Sequence, residues 1–169
     1  MVRVTLRAVR VDLQTNVPVL LLQESGGERR SLPIYIGTPE ATAIAYAVQG
    51  VETPRPLTHD LLADVIEALD AEIEEVVITE LAGSTYFAEL RLRRLDGLTI
   101  VSARPSDAVA LAIRTSAPLF VADDLMAAEG VVLEDEELDD DGIDEELGEG
   151  EVEKFIEFLD TIRPEDFSG

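Results

Sequence analysis

The chain has no cysteine, which excludes disulfides, thiolate metal sites and a cysteine nucleophile. It has no apolar run approaching the ~18 residues that a membrane helix requires. Met1-Val2-Arg3-Val4-Thr5-Leu6 alternates like a strand and lacks the apolar block of a secretory signal. A soluble, cytoplasmic protein with no membrane contact is therefore expected. Histidine occurs once, at His59, so any chemistry that needs imidazole uses that residue or one lent by another subunit. A glycine-rich phosphate loop and the elbow motif of serine hydrolases are both missing. Basic residues are scarce too: 13 against 36 acids, a net charge of −23. Taken over the whole chain, that balance argues against a polyanionic partner.

The charge is unevenly placed. Residues 1–122 carry 11 arginines and 16 acids, a net of −5, whereas residues 123–169 carry a net of −18. The body of the protein is only mildly acidic and has room for local arginine patches. Nucleic acid is neither demanded nor excluded. The 169 residues suit one domain with an appendage, which we place at 1–130. Residues 131–151 read as an acidic, disordered linker, because Glu134 to Glu151 holds 12 acids in 18 residues and no base. Within it Glu137, Asp139, Asp141 and Gly142 mimic a calcium loop, but Gly148 stands where the bidentate glutamate belongs. Residues 152–169 carry Val152, Phe155, Ile156, Leu159 and Ile162 at helical spacing, an amphipathic helix expected to dock on the domain or on a neighbouring subunit.

Along the body, strands are expected at Val2 to Asp12, with a bulge near Ala8 where the alternation slips, and at Val17 to Glu24 and Arg29 to Ile36. Thr38-Pro39-Glu40 opens an Ala-rich helix ending at Gly50, and Thr58 caps a second whose stripe is Leu61, Leu62, Val65, Ile66 and Leu69. Strands follow at 73–81, 85–95 and 98–103, then a helix from about Ser106, a short strand at 118–122 and a short helix stopped by Gly130. No internal repeat is visible. Interspersed strands and helices without strict alternation predict an α/β (α+β) fold, a mixed and partly barrel-like sheet with flanking helices.

Two helix starts, Pro56-Leu57-Thr58-His59-Asp60 and Arg104-Pro105-Ser106-Asp107, crowd hydroxyl, carboxylate and cationic groups where backbone N–H groups and the helix dipole favour an anion. Each residue has an ordinary explanation beside a functional one. Asp60 and Asp107 answer a dipole, Ser106 is a good cap, and Arg104 either pairs with Asp107 or Asp60 or clamps a phosphate. If Asp60, Asp107 and Glu40 converge, they supply oxygen ligands for Mg²⁺ or Mn²⁺. Arg91 and Arg93, with Arg94, Arg3 and Arg7, form either a basic strip or a solvated face laced with acids. Tyr86 and Phe87 read as core and rim.

Four segments, in order, resemble the bifunctional nuclease (DNase/RNase) domain family: Leu32-Pro33-Ile34-Tyr35-Ile36-Gly37 with Glu40-Ala41; Arg55-Pro56-Leu57-Thr58-His59-Asp60-Leu61; Tyr86-Phe87-Ala88-Glu89-Leu90; and Arg104 through Ala112. The resemblance covers about residues 1–130, and Val152 to Leu159 resembles an extension of bacterial members. It implies a compact α/β domain, a homo-oligomer, and nuclease activity towards DNA and RNA, with His59, Asp60, Arg104, Ser106 and Asp107 at family motif positions. The leading expectation is thus phosphodiester hydrolysis. Asp60, Asp107 and Glu40 would hold the metal, His59 would activate water, and Arg104, Ser106 and Thr58 would bind phosphate. The competing expectation is a non-catalytic homo-oligomeric module that recognises a phosphate-bearing ligand.

Overall fold

Residues 1–133 are described by the computed structural model. The acidic segment from Glu134 onward and the expected C-terminal helix lie outside the described residues. The first three strands form a meander, β1 (Val2–Asp12), β2 (Val17–Glu24) and β3 (Ser31–Tyr35), followed by α1 (Thr38–Gln49). After α2 (Thr58–Ala68) a second meander, β4 (Glu72–Ala82), β5 (Thr85–Arg94) and β6 (Gly97–Ala103), is followed by α3 (Pro105–Thr115). The description ends with β7 (Leu119–Val121) and α4 (Asp123–Glu129). The same three-strands-then-helix order therefore occurs twice, a repetition of topology that the residue pattern does not reveal.

All seven strands make one mixed sheet in the order β3-β2-β1-β7-β4-β5-β6. β7 joins the two meanders, pairing antiparallel with β1 through Val2↔Val121 and parallel with β4 through Val77↔Phe120. The sheet curls, since α4 touches both β3 and β4 although these lie four places apart, but it does not close into a barrel. The bulge falls where the alternation slips: the β1–β2 register shifts between Leu6 and Ala8, which turns Val9, opposite Leu20, onto the core face that Val4 and Leu6 occupy before it.

α3 is the most enclosed helix. Ala108, Val109, Ala110, Leu111 and Ala112 are successively buried, because the helix lies against β4 and β5 while also contacting α1 and α2. Three alanines in that run let neighbouring backbones approach from every side. Two of the helix ends follow expectation: Gly50 closes α1 in the left-handed conformation (φ 64°), and Gly130 closes α4. The starts differ from expectation. Gly37, Leu57 and Arg104 occupy the cap positions, and neither Thr38, Thr58 nor Ser106 caps a helix. At Pro39 and Pro105 the ring presets the helical φ and removes an N–H that no carbonyl inside the helix would have met, which reduces the need for a side-chain cap.

α2 departs most from its sequence pattern. Leu61, Leu62, Val65 and Leu69 are exposed, and only Ala63 and Ile66 rest on the core. The helix packs on α3 rather than flat on the sheet, so one arc of its stripe finds a neighbour among the described residues and the rest does not. None of the helices among the described residues is long and apolar enough to cross a membrane.

Candidate active site

The starts of α1, α2 and α3 meet. Asp107, in the first turn of α3, accepts Arg104 Nε at 2.6 Å on Oδ2 and Arg104 Nη2 at 3.0 Å on Oδ1. His59, in the first turn of α2, sets Nε2 3.0 Å from the same Oδ1. Arg104 Nη2 also reaches Glu40 Oε1 in the first turn of α1 at 3.0 Å. One guanidinium thus ties together two helix starts, and a histidine brings in the third. Beneath this, Arg114 Nε reaches Asp60 Oδ1 at 2.5 Å, while its Nη1 and Nη2 donate to the carbonyls of Ala110 and Ala43. Asp60 Oδ2 accepts the Leu57 N–H at 2.9 Å, fixing the entry of α2.

The sequence placed these groups on separate helix starts, and the fold brings His59, Asp107, Arg104 and Glu40 into one cluster. Arg104 does pair with Asp107, as its structural reading held, and it remains the exposed member of the group, with 65% of its side chain accessible. His59 is 13% accessible. Thr58 is exposed, while Ser106 is buried. Asp60 answers Arg114, a residue the sequence reading passed over: a cation in the last turn of a helix already suits the dipole and gives no hint of a distant partner.

Burial pushes the Asp107 carboxyl up, but hydrogen bonds from Arg104 and His59 outweigh it and hold it below the ordinary aspartate value of 3.8. Asp60 behaves alike: burial raises it, and hydrogen bonds from Arg114 and the Leu57 N–H bring it below 3.8. The Arg104 guanidinium is driven further up by hydrogen bonding and charge attraction to Asp107. A carboxyl depressed in the folded state stabilises the fold above its unfolded value, and that contribution disappears as pH falls through the folded value. The urea midpoint should therefore drop as pH is lowered below about 4, on account of Asp60 and Asp107. Asp107→Asn should show a shallower acid drop than the parent chain; equal slopes would remove Asp107 from the account.

As donors for Mg²⁺ or Mn²⁺ the three carboxylates are already committed. Asp60 answers Arg114, while Glu40 and Asp107 share Arg104. Among the described residues no group of three or more His, Asp or Glu side chains is arranged to hold a metal ion. The residues as they stand do not fit a divalent ion. What they form is a histidine oriented by a carboxylate, beside an accessible guanidinium at the head of two helices.

The arginines of β5 are neutralised, as the solvated-face reading held. Arg91 meets Glu75 at 2.6 Å and Glu89 at 3.3 Å, and Arg93 meets Glu74 at 2.5 Å. Tyr86 packs on the core and Phe87 lies at its rim.

Comparison with known proteins agrees with the motifs. A family model described as "Bifunctional nuclease domain" matches residues 19–134, which includes every residue of the cluster. An uncharacterised protein of Mycobacterium tuberculosis is 48% identical over 159 residues, covering 94% of this chain and 93% of that protein. Bifunctional nuclease 2 of Arabidopsis thaliana is 29% identical over 115 residues, covering 66% of this chain and 35% of that protein. Bifunctional nuclease 2 of Oryza sativa subsp. japonica is 26% identical over 117 residues, 68% of this chain and 36% of that protein. The plant proteins are thus matched over little more than a third of their length. By its motifs and by the family model, which spans more than half of it, this chain belongs to the bifunctional nuclease domain family.

Proposed function

We propose that the protein is a nuclease that hydrolyses phosphodiester bonds in DNA or RNA at the junction of α1, α2 and α3. The observation that carries this reading is the His59–Asp107 contact beside Arg104. With Nε2–H donated to Asp107, a neutral His59 keeps its basic lone pair on Nδ1, the nitrogen that would take a proton from water. Asp107 fixes the tautomer and stabilises the imidazolium that forms, the role of an orienting carboxylate. Arg104 spends Nε and Nη2 of its fork on Asp107 and Glu40 and would meet the phosphate through Nη1, together with the N–H groups of the α2 and α3 starts. Thr58 stands exposed at the same helix start and would add a hydroxyl donor.

The full-length protein, purified free of contaminating nuclease, should cut labelled single-stranded DNA or RNA, and chelation separates two forms of the chemistry. Cutting that survives EDTA is carried by these side chains alone. Cutting lost in EDTA and restored by Mn²⁺ or Mg²⁺ requires an ion that displaces Arg104 from Glu40 and Asp107. Stabilisation by nucleotides in a thermal-shift screen, with no cutting under either condition, would replace the nuclease reading with a non-catalytic phosphate-recognising module.

A further inference from the structure

We propose that the free edge of β6, together with the apolar flank of α2, is the surface on which two copies of this chain associate.

The two edges of the sheet are built differently. The outer edge at β3 is five residues long, carries Pro33, and is bridged by Val131, whose N–H and C=O exchange hydrogen bonds with Ser31 at 2.9 and 2.7 Å. These are the devices by which an edge strand is blunted. Among the described residues, the edge at β6 has none of them. Gly97-Leu98-Thr99-Ile100-Val101-Ser102-Ala103 contains no charge and no proline, and Leu98, Ile100 and Val101 are 55%, 55% and 40% exposed. Alternate N–H and C=O groups of any such strand face away from its one neighbour, here β5. An exposed apolar edge without protection is a template for another strand.

α2 extends this surface. His59 at its start meets Asp107 just beyond the end of β6, and Leu69 at its end shares a small hollow with Arg94, Leu95 and Asp96 just before the start of β6. The helix therefore runs beside β6 in the opposite sense. Asp60 points towards Arg114 and α1; at about 100° per residue, Leu62, Val65 and Leu69 fall on the far flank, towards the sheet edge.

The occupant that fits is a second copy. An antiparallel β6 pair about a two-fold axis is self-complementary, as a closed dimer requires. Centred on Ile100, the pairing sets Leu98 opposite Ser102 and Thr99 opposite Val101. The same axis stands normal to the sheet and puts both α2 helices on one face, their apolar flanks converging. Elsewhere two copies of a chain with net charge −23 repel; β6 is a stretch where they can meet without charge.

Sedimentation equilibrium on the full-length chain tests this. The parent should be dimeric, and Ile100→Lys should weaken association on the order of 100-fold or more, because two like charges would meet at the axis. Circular dichroism should show that variant folded, since the site is half-exposed. The parent lacks cysteine, so Ile100→Cys can form only one disulfide, between copies, and directly opposed strand residues lie within its reach. Ile100→Cys should therefore cross-link on oxidation, while Leu13→Cys, an exposed residue in the β1–β2 turn, should not. A parent that stays monomeric, or a dimer that persists in Ile100→Lys and does not cross-link through position 100, would overturn the proposal.

Discussion

His59→Ala is expected to slow phosphodiester cleavage by about 10²- to 10⁴-fold, the range spanned by a positioned proton-transfer group. His59 is the one imidazole in the chain, so no neighbour can take over its role. Asp107→Asn should fall nearly as far. The amide keeps the shape but cannot stabilise an imidazolium, and its NH₂ group favours the wrong tautomer. Because the two residues act as a unit, the double variant should be little slower than the worse single one, which distinguishes a dyad from two independent contributions. Arg104→Lys should act differently, raising KM more than it lowers kcat, since a point charge still attracts phosphate but loses the fork. Single-turnover cleavage of a labelled strand measures each effect. Full activity in both His59→Ala and Asp107→Asn would remove this cluster from the chemistry.

Asp60→Ala is expected to destabilise the fold by about 2–4 kcal/mol, a large share of a small domain's stability. The loss comes from what is left behind. The Arg114 side chain is 10% accessible, and without Asp60 its charge is held among carbonyls with no counter-ion. The reverse substitution is gentler: Arg114→Met leaves an aspartate that is 35% accessible and can be hydrated, so a cost of about 1–2 kcal/mol is expected. The double variant should lose less than the sum. Urea denaturation reads all three, and a change below about 0.5 kcal/mol in Asp60→Ala would show that the pair is not structural. Asp60→Ala should also slow cleavage, because the carboxylate that holds Arg114 also receives the Leu57 N–H one residue before α2 begins.

Most of the fold is legible in the residues because local rules and burial agree. Alternation gives β1, its slip gives the bulge at Leu6 and Ala8, and Gly50 and Gly130 mark helix ends. What the pattern misreads is what depends on packing between distant parts. The stripe of α2 has the period of a core-facing helix, yet one arc of it meets no neighbour among the described residues. The doubled meander leaves no repeat in the letters, since many apolar sequences satisfy the same alternation. The site shows the same division. Charge crowding at two helix starts singled out His59, Asp107 and Arg104, and Pro105, two residues before Asp107, and Pro39, one before Glu40, marked the first turns of α3 and α1. That Arg104 would reach Glu40, and Arg114 reach Asp60, depends on how three helices cross, and no spacing along the chain encodes it.

The three-residue strand β7 has a consequence for how the protein is made. Among the described residues it is the one strand that pairs with both meanders, and it is the last of those strands to leave the ribosome. Until Leu119 emerges, the nascent chain holds two separate sheets whose inner strands, β1 and β4, each offer a bare margin to passing polypeptide. Translational pausing just short of that point would expose the chain to chaperones for longest, and the seam would then close in a single late step.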